Sequence, residues 1–265
     1  MTTEASRSNP AYSAPEFRGE TQMNALLDPA CWIHVPRIRR FRIRQTDNFL
    51  TAGDMTAMAA HKDGMIYIYA ECDRDDGIIP EMRERYTGWT LDNALEIFIE
   101  SNGTVRQFVL NARGALCCYN NEILQEAPPE GIRIEGRRET GKWKLVIAIP
   151  LSLFESPDLN FNLRFMLPDT FSQYCEMNNG TEKWPMAPLR TVPAMTHEEC
   201  MKNERDFNSV YRNALDNPAS DPDMANLLKV AGRCKWDITA IQTLYTSICA
   251  RSSTPEKREK EYVAL

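Results

Sequence analysis

The sequence predicts an all-β protein: an antiparallel β-sandwich of the jelly-roll type, with a helical appendage at its C-terminal end. Two observations predict the sandwich. Short segments of alternating apolar and polar residues follow one another between residues 37 and 169, and turn residues such as Asn102-Gly103 and Thr140-Gly141 separate several of them. A third observation predicts the appendage, because after residue 221 the apolar residues recur at steps of three and four, which is typical of helices.

The candidate strands are short segments whose apolar residues alternate with polar ones or dominate the segment. Alternation with a period of two places one set of side chains on a buried face and the other on the opposite face. The segments are residues 37–44, 55–62, 65–73, 95–101, 106–112, 116–121, 132–138, 143–150 and 162–169.

The order of these patterns predicts three parts of the chain. Residues 1–30 are polar and lack periodicity, so a loosely ordered leader is expected there. The sandwich domain is predicted for residues 31–215 and a helical extension for residues 216–265. Asp221-Pro222 is typical of a helix N-terminus. We expect the extension to pack on the sandwich, with self-association through these helices as the alternative.

The composition is that of an ordinary globular protein. The chain has 265 residues and a formal net charge of -6, which favours neither nucleic acid nor an anionic membrane as a partner. The eight cysteines form no CxxC pair and there are only three histidines, so a zinc centre is not expected and the thiols are expected to be reduced. No cofactor is predicted.

The N-terminal residues carry no apolar segment of the kind found in secretory signals. As written, the chain is therefore expected in the cytoplasm, and secretion is expected only if the sequence is a fragment of a larger protein. No run of 18 apolar residues predicts a transmembrane helix.

Residues 88–103, GWTLDNALEIFIESNG, surround a predicted strand with an aromatic ring and two carboxylates. The odd-numbered residues from Leu95 to Ile99 share one face of this strand, while Glu96 and Glu100 share the other. Because unpaired buried carboxylates are costly, the second face must meet water, a metal or a polar ligand. A flat ring beside an acid favours sugar binding.

Several segments, in this order and spacing, resemble the family 9 carbohydrate-binding modules and the wider superfamily of similar sandwiches. The resemblance covers residues 30–195, and it departs from the family at Leu145-Val146-Ile147, where the family usually has a Glu, and at the closing edge of the domain. The segments that carry it are Cys31-Trp32, AAHKDGMIYIYAECDRDD, WTLDNALEIFIE, RQFVLNARGAL, GKWKLVIAIPLSLF and NFNLRFMLPD.

The resemblance implies a non-catalytic module associated with polysaccharide breakdown, whose partner is an oligosaccharide or a polysaccharide. Sugar rings stack on tryptophan, which removes apolar area worth about 25 cal/mol per Å² from water, and planar polar side chains take the hydroxyls. The ligand-binding residues that the resemblance implies are Trp89, Glu96, Gln107, Asn111 and Trp184.

Each of these residues has a structural alternative. Trp89 could cap the edge of the sandwich, Trp184 could pack on the sheet, and Glu96 could pair with an arginine of the neighbouring strand, for which Arg106 is the candidate.

Other functions stay open at this stage. A glycoside hydrolase needs two carboxylates about 5–10 Å apart, whereas Glu96 and Glu100 are about 13 Å apart along a strand, so the protein is not expected to be an enzyme. The loop DRDDG, residues 73–77, is an alternative calcium site. Haem held by methionine and an interaction protein without a sugar pocket are the remaining alternatives.

Overall fold

The structure is a computed structural model that describes residues 11–39, 41–43, 55–73, 93–167, 173–176 and 186–209. Within these ranges the chain is built almost entirely from β-strands, followed by one α-helix. The strands are β1 (Tyr12–Pro15), β2 (Arg37–Ile38), β3 (Arg42–Ile43), β4 (Met55–Lys62), β5 (Met65–Cys72), β6 (Ala94–Ser101), β7 (Thr104–Asn111), β8 (Leu116–Asn120), β9 (Ile123–Leu124), β10 (Arg133–Glu139), β11 (Lys142–Pro150), β12 (Leu159–Leu167), β13 (Gln173–Glu176) and β14 (Ala187–Val192), and the helix is α1 (His197–Ser209).

The described strands form two sheets, which confirms the predicted β-sandwich. The nine-stranded sheet has the order β1-β14-β12-β6-β7-β8-β9, with β13 beside β12 and β3 beside β13. The five-stranded sheet has the order β10-β11-β5-β4-β2. Neighbouring strands are antiparallel with the exception of β1 and β14, which run parallel.

The main core lies between the two sheets because alternate residues of their central strands point into it. From β6 these are Leu95, Ile97 and Ile99, as the alternation predicted, and all three are fully buried. Trp143 of β11 packs against Phe165 of β12, with ring centroids 5.7 Å apart. The other core residues of β11 and β12 are Leu145, Ile147, Ile149, Leu159, Phe161 and Leu163.

The far side of the five-stranded sheet is covered by residues 17–35, which carry a second apolar cluster. Trp32 packs against Phe17 and Tyr69, and its indole N–H donates to the Leu26 carbonyl at 2.8 Å. The loose leader predicted for residues 1–30 is therefore not what residues 11–30 form. Their apolar side chains occur at irregular spacing, so periodicity could not reveal that they are buried. Residues 1–10 lie outside the described ranges.

The segment predicted as one strand over residues 37–44 is two strands in different sheets. β2 pairs with β4 in the five-stranded sheet, whereas β3 pairs with β13 in the nine-stranded sheet. Ile38 and Phe41 are both buried in the main core, although residues three apart point to opposite faces of a continuous strand. Both side chains can enter the core because the chain crosses from one sheet to the other between β2 and β3.

Helix α1 lies within the predicted sandwich domain and was not predicted. Its start carries a capping box, in which the Thr196 N–H donates to the Glu199 carboxylate at 2.8 Å and the Glu199 N–H donates to the Thr196 hydroxyl at 3.3 Å. The sequence Thr-x-x-Glu was the available signal. The helical extension predicted for residues 216–265 lies outside the described residues. No helix in the described ranges has both the length and the apolar character needed to span a membrane.

Along the free edge of β2, side chains of α1 form the hydrogen bonds that the backbone of a neighbouring strand would otherwise form. The Arg37 N–H donates to the Glu204 carboxylate at 3.1 Å and the Arg39 N–H donates to the Asn208 side-chain oxygen at 3.0 Å. The Asn208 amide in turn donates to the Arg37 carbonyl at 2.8 Å. An edge strand with open N–H and C=O groups invites pairing with another chain, and α1 closes this edge.

We predict that the double variant Glu204→Ala/Asn208→Ala loosens this edge, because two backbone N–H groups lose their acceptors. The free energy of unfolding should fall by about 1–3 kcal/mol in urea denaturation. Amide hydrogen exchange at Arg37 and Arg39 should become faster. The exposed Glu198→Ala in the same helix is the control, and unchanged exchange at both arginines in the double variant would contradict the edge-closing role.

Candidate functional site

The outer face of the nine-stranded sheet, meaning the face turned away from the main core, carries the candidate site. It receives the even-numbered residues of β6, because the odd-numbered ones fill the core. The register places Arg164 of β12 opposite Glu96, and Val109 of β7 on the other side of Glu96. One step along β6, Phe98 stands between Asn162 and Gln107.

Glu96 is the centre of a buried polar network on this face. Its Oε2 atom lies 3.4 Å from Nη1 of Arg164 and accepts a hydrogen bond of 2.9 Å from the Gln107 amide. Glu96 is 0% exposed and Arg164 is 5% exposed. The Arg164 guanidinium also lies over the Phe98 ring, 4.9 Å from its centroid, a cation–π contact that helps to hold it in place.

The arginine that pairs with Glu96 is Arg164, and the alternative partner Arg106 is wrong. Arg106 stands opposite Ile99 in the register, so its side chain points to the other face of the sheet, the face that carries Ile99. There its Nε atom donates to the Leu153 carbonyl at 3.1 Å. Across the Asn102-Gly103 turn, even-numbered residues of β6 stand opposite odd-numbered residues of β7. The even-numbered Arg106 therefore cannot share a face with Glu96.

The electrostatic effect of Glu96 reaches Cys117 on β8, the second strand away from β6. Burial raises the pKa of the Cys117 thiol to about 11, and Glu96 adds to the rise, against the hydrogen bond with Tyr119. Cys117 follows Val109 and Glu96 across the sheet and is 4% exposed. The thiol therefore stays protonated at neutral pH, so it adds no charge beside Glu96.

Asn111 lies on the same face of the sheet, opposite Ala94 of β6 in the register. Asn111 is fully buried, and its side-chain oxygen accepts from the N–H groups of Arg113 at 2.9 Å and Ala115 at 3.2 Å. It therefore holds the turn between β7 and β8. Trp89 and Trp184 lie outside the described residues. Of the five predicted residues, the structure thus joins Glu96 and Gln107 by a direct hydrogen bond.

Glu100, the second acid on this face of β6, is engaged at the turn. One of its carboxylate oxygens accepts from the Gly103 N–H at 2.6 Å and the other from the Asn160 amide at 2.5 Å. These bonds fix the β6–β7 turn and its contact with β12. They give Glu100 a structural role that is separate from the Glu96 network.

Sequence reasoning missed Arg164 and Asn162 as members of this face, whereas the alternation along residues 94–100 already placed Phe98 on it beside Glu96. The signal was present in residues 159–165, LNFNLRF, where Leu and Phe alternate with Asn and Arg. Asn162 is 2% exposed and Arg164 is 5% exposed, so these two polar residues of the alternation are buried almost as deeply as the core, whereas Asn160 is partly buried. Such a pattern predicts a strand between two packed layers, one of them polar.

The alternative metal and haem sites gain no support from the residues that the structure describes. Within these ranges no group of three or more His, Cys, Asp or Glu side chains could hold a metal ion. Of the predicted calcium loop at residues 73–77, all but Asp73 lies outside the described residues. Met58 is buried in the apolar cluster beneath residues 17–35.

We predict that the Glu96–Arg164 pair is costly to break singly and cheaper to replace as a whole. Glu96→Leu leaves Arg164 buried without its counter-charge and should lower the free energy of unfolding by about 3–5 kcal/mol. The double variant Glu96→Leu/Arg164→Met should recover a large part of that loss in urea denaturation.

Glu139→Gln is the matched control, since Glu139 forms more exposed ion pairs with Lys142 and Lys144 at 3.4 and 3.3 Å. It should change the free energy of unfolding by less than about 1 kcal/mol. Additive effects of the two substitutions in the Glu96–Arg164 pair would show that the two side chains are not coupled.

The chain was compared with known proteins. No protein-family model matches it, and no curated protein matches it. Among solved structures, it is similar to a "putative carbohydrate-binding protein" from Bacteroides uniformis, with a TM-score of 0.56 and 14% identity over 70% of this chain and 100% of that chain.

Two further similar structures are of a family 9 carbohydrate-binding module from Caldicellulosiruptor kristjanssonii. The complex with cellotriose has a TM-score of 0.49 and 13% identity over 71% of this chain and 95% of that chain. The complex with glucose has a TM-score of 0.48 and 12% identity over 70% of this chain and 97% of that chain. The chain thus has the β-sandwich fold that its sequence predicted, a fold it shares with the Bacteroides uniformis protein.

Proposed function

We propose that the protein binds carbohydrate without catalysis, on the outer face of its nine-stranded sheet. The observation that carries the proposal is the buried network of Glu96, Arg164 and Gln107. A sandwich needs no charged pair on this face for its stability, because well-packed apolar residues of similar volume are usually as stabilising or more so. Charged groups held there at such a cost favour a role in recognition.

Within the network the three side chains have different tasks. Gln107 is half-buried, so its amide is the member that a ligand reaches first. Glu96 accepts from that amide and Arg164 neutralises Glu96, so the orientation of Gln107 is fixed before a ligand arrives. A polar group whose rotamer is already set loses little entropy on binding, which strengthens its hydrogen bonds to sugar hydroxyls.

The apolar contacts of the proposed site come from Trp89 and Trp184. Sugar rings have an apolar face, and stacking that face on an indole removes apolar area from water. In sequence, Trp89 precedes Ala94, the first residue of β6, by five residues, and Glu96 lies near that end of the strand. The name of the structurally similar Bacteroides uniformis protein refers to carbohydrate binding and supports carbohydrate as the class of ligand.

We do not propose Glu96 and Glu100 as a catalytic pair, because the second acid of the face has another task. Glu100 uses both carboxylate oxygens to hold the β6–β7 turn and Asn160. A strand rise of about 3.4 Å per residue also separates Glu96 from Glu100 by about 13 Å, beyond the carboxylate spacing of glycoside hydrolases. The expected partner is an oligosaccharide or a polysaccharide.

We predict that the wild-type protein binds at least one sugar on a glycan array, and that isothermal titration reproduces the binding. Trp89→Ala and Trp184→Ala should each weaken binding by about tenfold or more, because each removes a stacking surface. Gln107→Ala should weaken it by about tenfold through the loss of oriented hydrogen bonds.

Glu139→Gln on the five-stranded sheet is the control and should leave the affinity unchanged. If the wild-type protein binds no glycan, the proposed function is wrong. If binding survives all three site substitutions at full strength, the function stands but this face does not carry it.

A further inference from the structure

A hollow of about 250 Å³ opens on the outer face beside the Glu96 network. It lies at the turn end of the strands, where β6 passes into β7 and β8 passes into β9. Its lining comes from strand residues and turn residues in equal number. They are Phe98, Val105 and Gln107 from the strands, and Gly103, Asn121 and Glu122 from the turns.

The hollow is continuous with the proposed sugar site because two residues belong to both. Gln107 lines the hollow and donates its amide to Glu96. Phe98 lines the hollow and lies beneath the Arg164 guanidinium. The Glu96 position and the Phe98 position are two residues apart on β6, which is about 7 Å along the strand. Both side chains are fully buried, so a ligand longer than one sugar unit meets the network at the half-buried Gln107 and extends from there over the hollow.

The lining fits a neutral ligand that carries hydroxyl groups. Val105 supplies apolar surface near the buried Phe98 ring, while Gln107, Asn121 and Glu122 supply amide and carboxylate groups. The six lining residues include one carboxylate and no cationic side chain, which disfavours phosphates and sugar acids. Apolar surface beside acceptors and donors is the combination that a pyranose ring with its hydroxyls requires.

The rim of the hollow is held in place before any ligand binds. The Asn121 side-chain oxygen accepts from the Val105 N–H at 2.9 Å, and the Asn121 N–H donates to the Val105 carbonyl at 2.9 Å. Asn121 and Glu122 have φ angles of 46° and 69°, which is the left-handed region of the backbone. The two hydrogen bonds of Asn121 stabilise this turn and with it the position of Glu122. The carboxylate is therefore presented from a fixed backbone.

We propose that this hollow is a second subsite, which receives a neutral sugar unit of the same chain that binds at Gln107, the half-buried member of the Glu96 network. The proposal rests on the proposed function and makes it more specific. The protein then recognises an oligosaccharide stretch that runs from Gln107 toward the Asn102-Gly103 turn. A single sugar unit fills only part of this surface.

The test fills the hollow with a larger side chain and measures the affinity of the protein for two sugars. Val105→Trp places a large ring at a strand position that tolerates aromatic residues, and it removes no hydrogen bond. The probes in isothermal titration are the trisaccharide with the strongest signal on the glycan array and the monosaccharide unit of that trisaccharide. Arg137→Trp, at an exposed position of β10 in the other sheet, is the control of equal bulk.

The wild-type protein should bind the trisaccharide about tenfold or more tightly than the monosaccharide. Val105→Trp should lose this advantage and keep the monosaccharide affinity, while Arg137→Trp should keep both affinities. Glu122→Gln, which preserves the size of the side chain, should lower the trisaccharide affinity alone and provides a second variant if Val105→Trp does not fold.

Equal wild-type affinity for the two sugars, or full trisaccharide affinity in Val105→Trp and Glu122→Gln, would overturn the subsite and leave the proposed function in place. Absence of binding to any glycan would instead contradict the proposed function itself, and the subsite with it.

Discussion

The register of β6 is the constraint on which both faces of the nine-stranded sheet depend. β6 is paired along its full length with β12 on one side and β7 on the other. In this register Leu95, Ile97 and Ile99 enter the core, while Glu96 reaches Arg164 on the outer face. A slip of one residue would exchange the two faces and bury Glu96 among apolar side chains. The fold and the candidate site are therefore specified by the same pairing.

The two faces contribute to the molecule in different ways. The main core buries large apolar side chains from both sheets, and this burial is the dominant source of stability. The outer face buries a charged pair and several amides. Removing these groups from water costs free energy, and their hydrogen bonds mainly fix the orientation of the side chains. α1 and residues 17–35 complete the structure, because they cover an edge and a face of the five-stranded sheet. The outer face of the nine-stranded sheet is thus the part whose chemistry stability alone does not explain.

The sequence could predict the strands with clear alternation, and β4 to β8 and β10 to β12 lie within a few residues of their predicted bounds. Residues 11–30 could not be found in this way, because Tyr12, Phe17 and Leu26 are buried without any period. The crossing between β2 and β3 was also hidden, since alternation describes one strand and not a change of sheet. In the site, Glu96 was predicted from its strand. Its partner Arg164 is 68 residues away in sequence, and only the pairing of β12 with β6 brings it near.

The central claim is that a sugar binds on the outer face of the nine-stranded sheet. The most direct measurement is the change in backbone amide NMR shifts when the best-bound oligosaccharide from a glycan array is added. The account predicts that the largest changes fall on Glu96, Phe98, Gln107 and Arg164, with little change at Tyr67 and Val146 of the five-stranded sheet. Changes centred on the five-stranded sheet, or on the groove between residues 192–195 and α1, would contradict it.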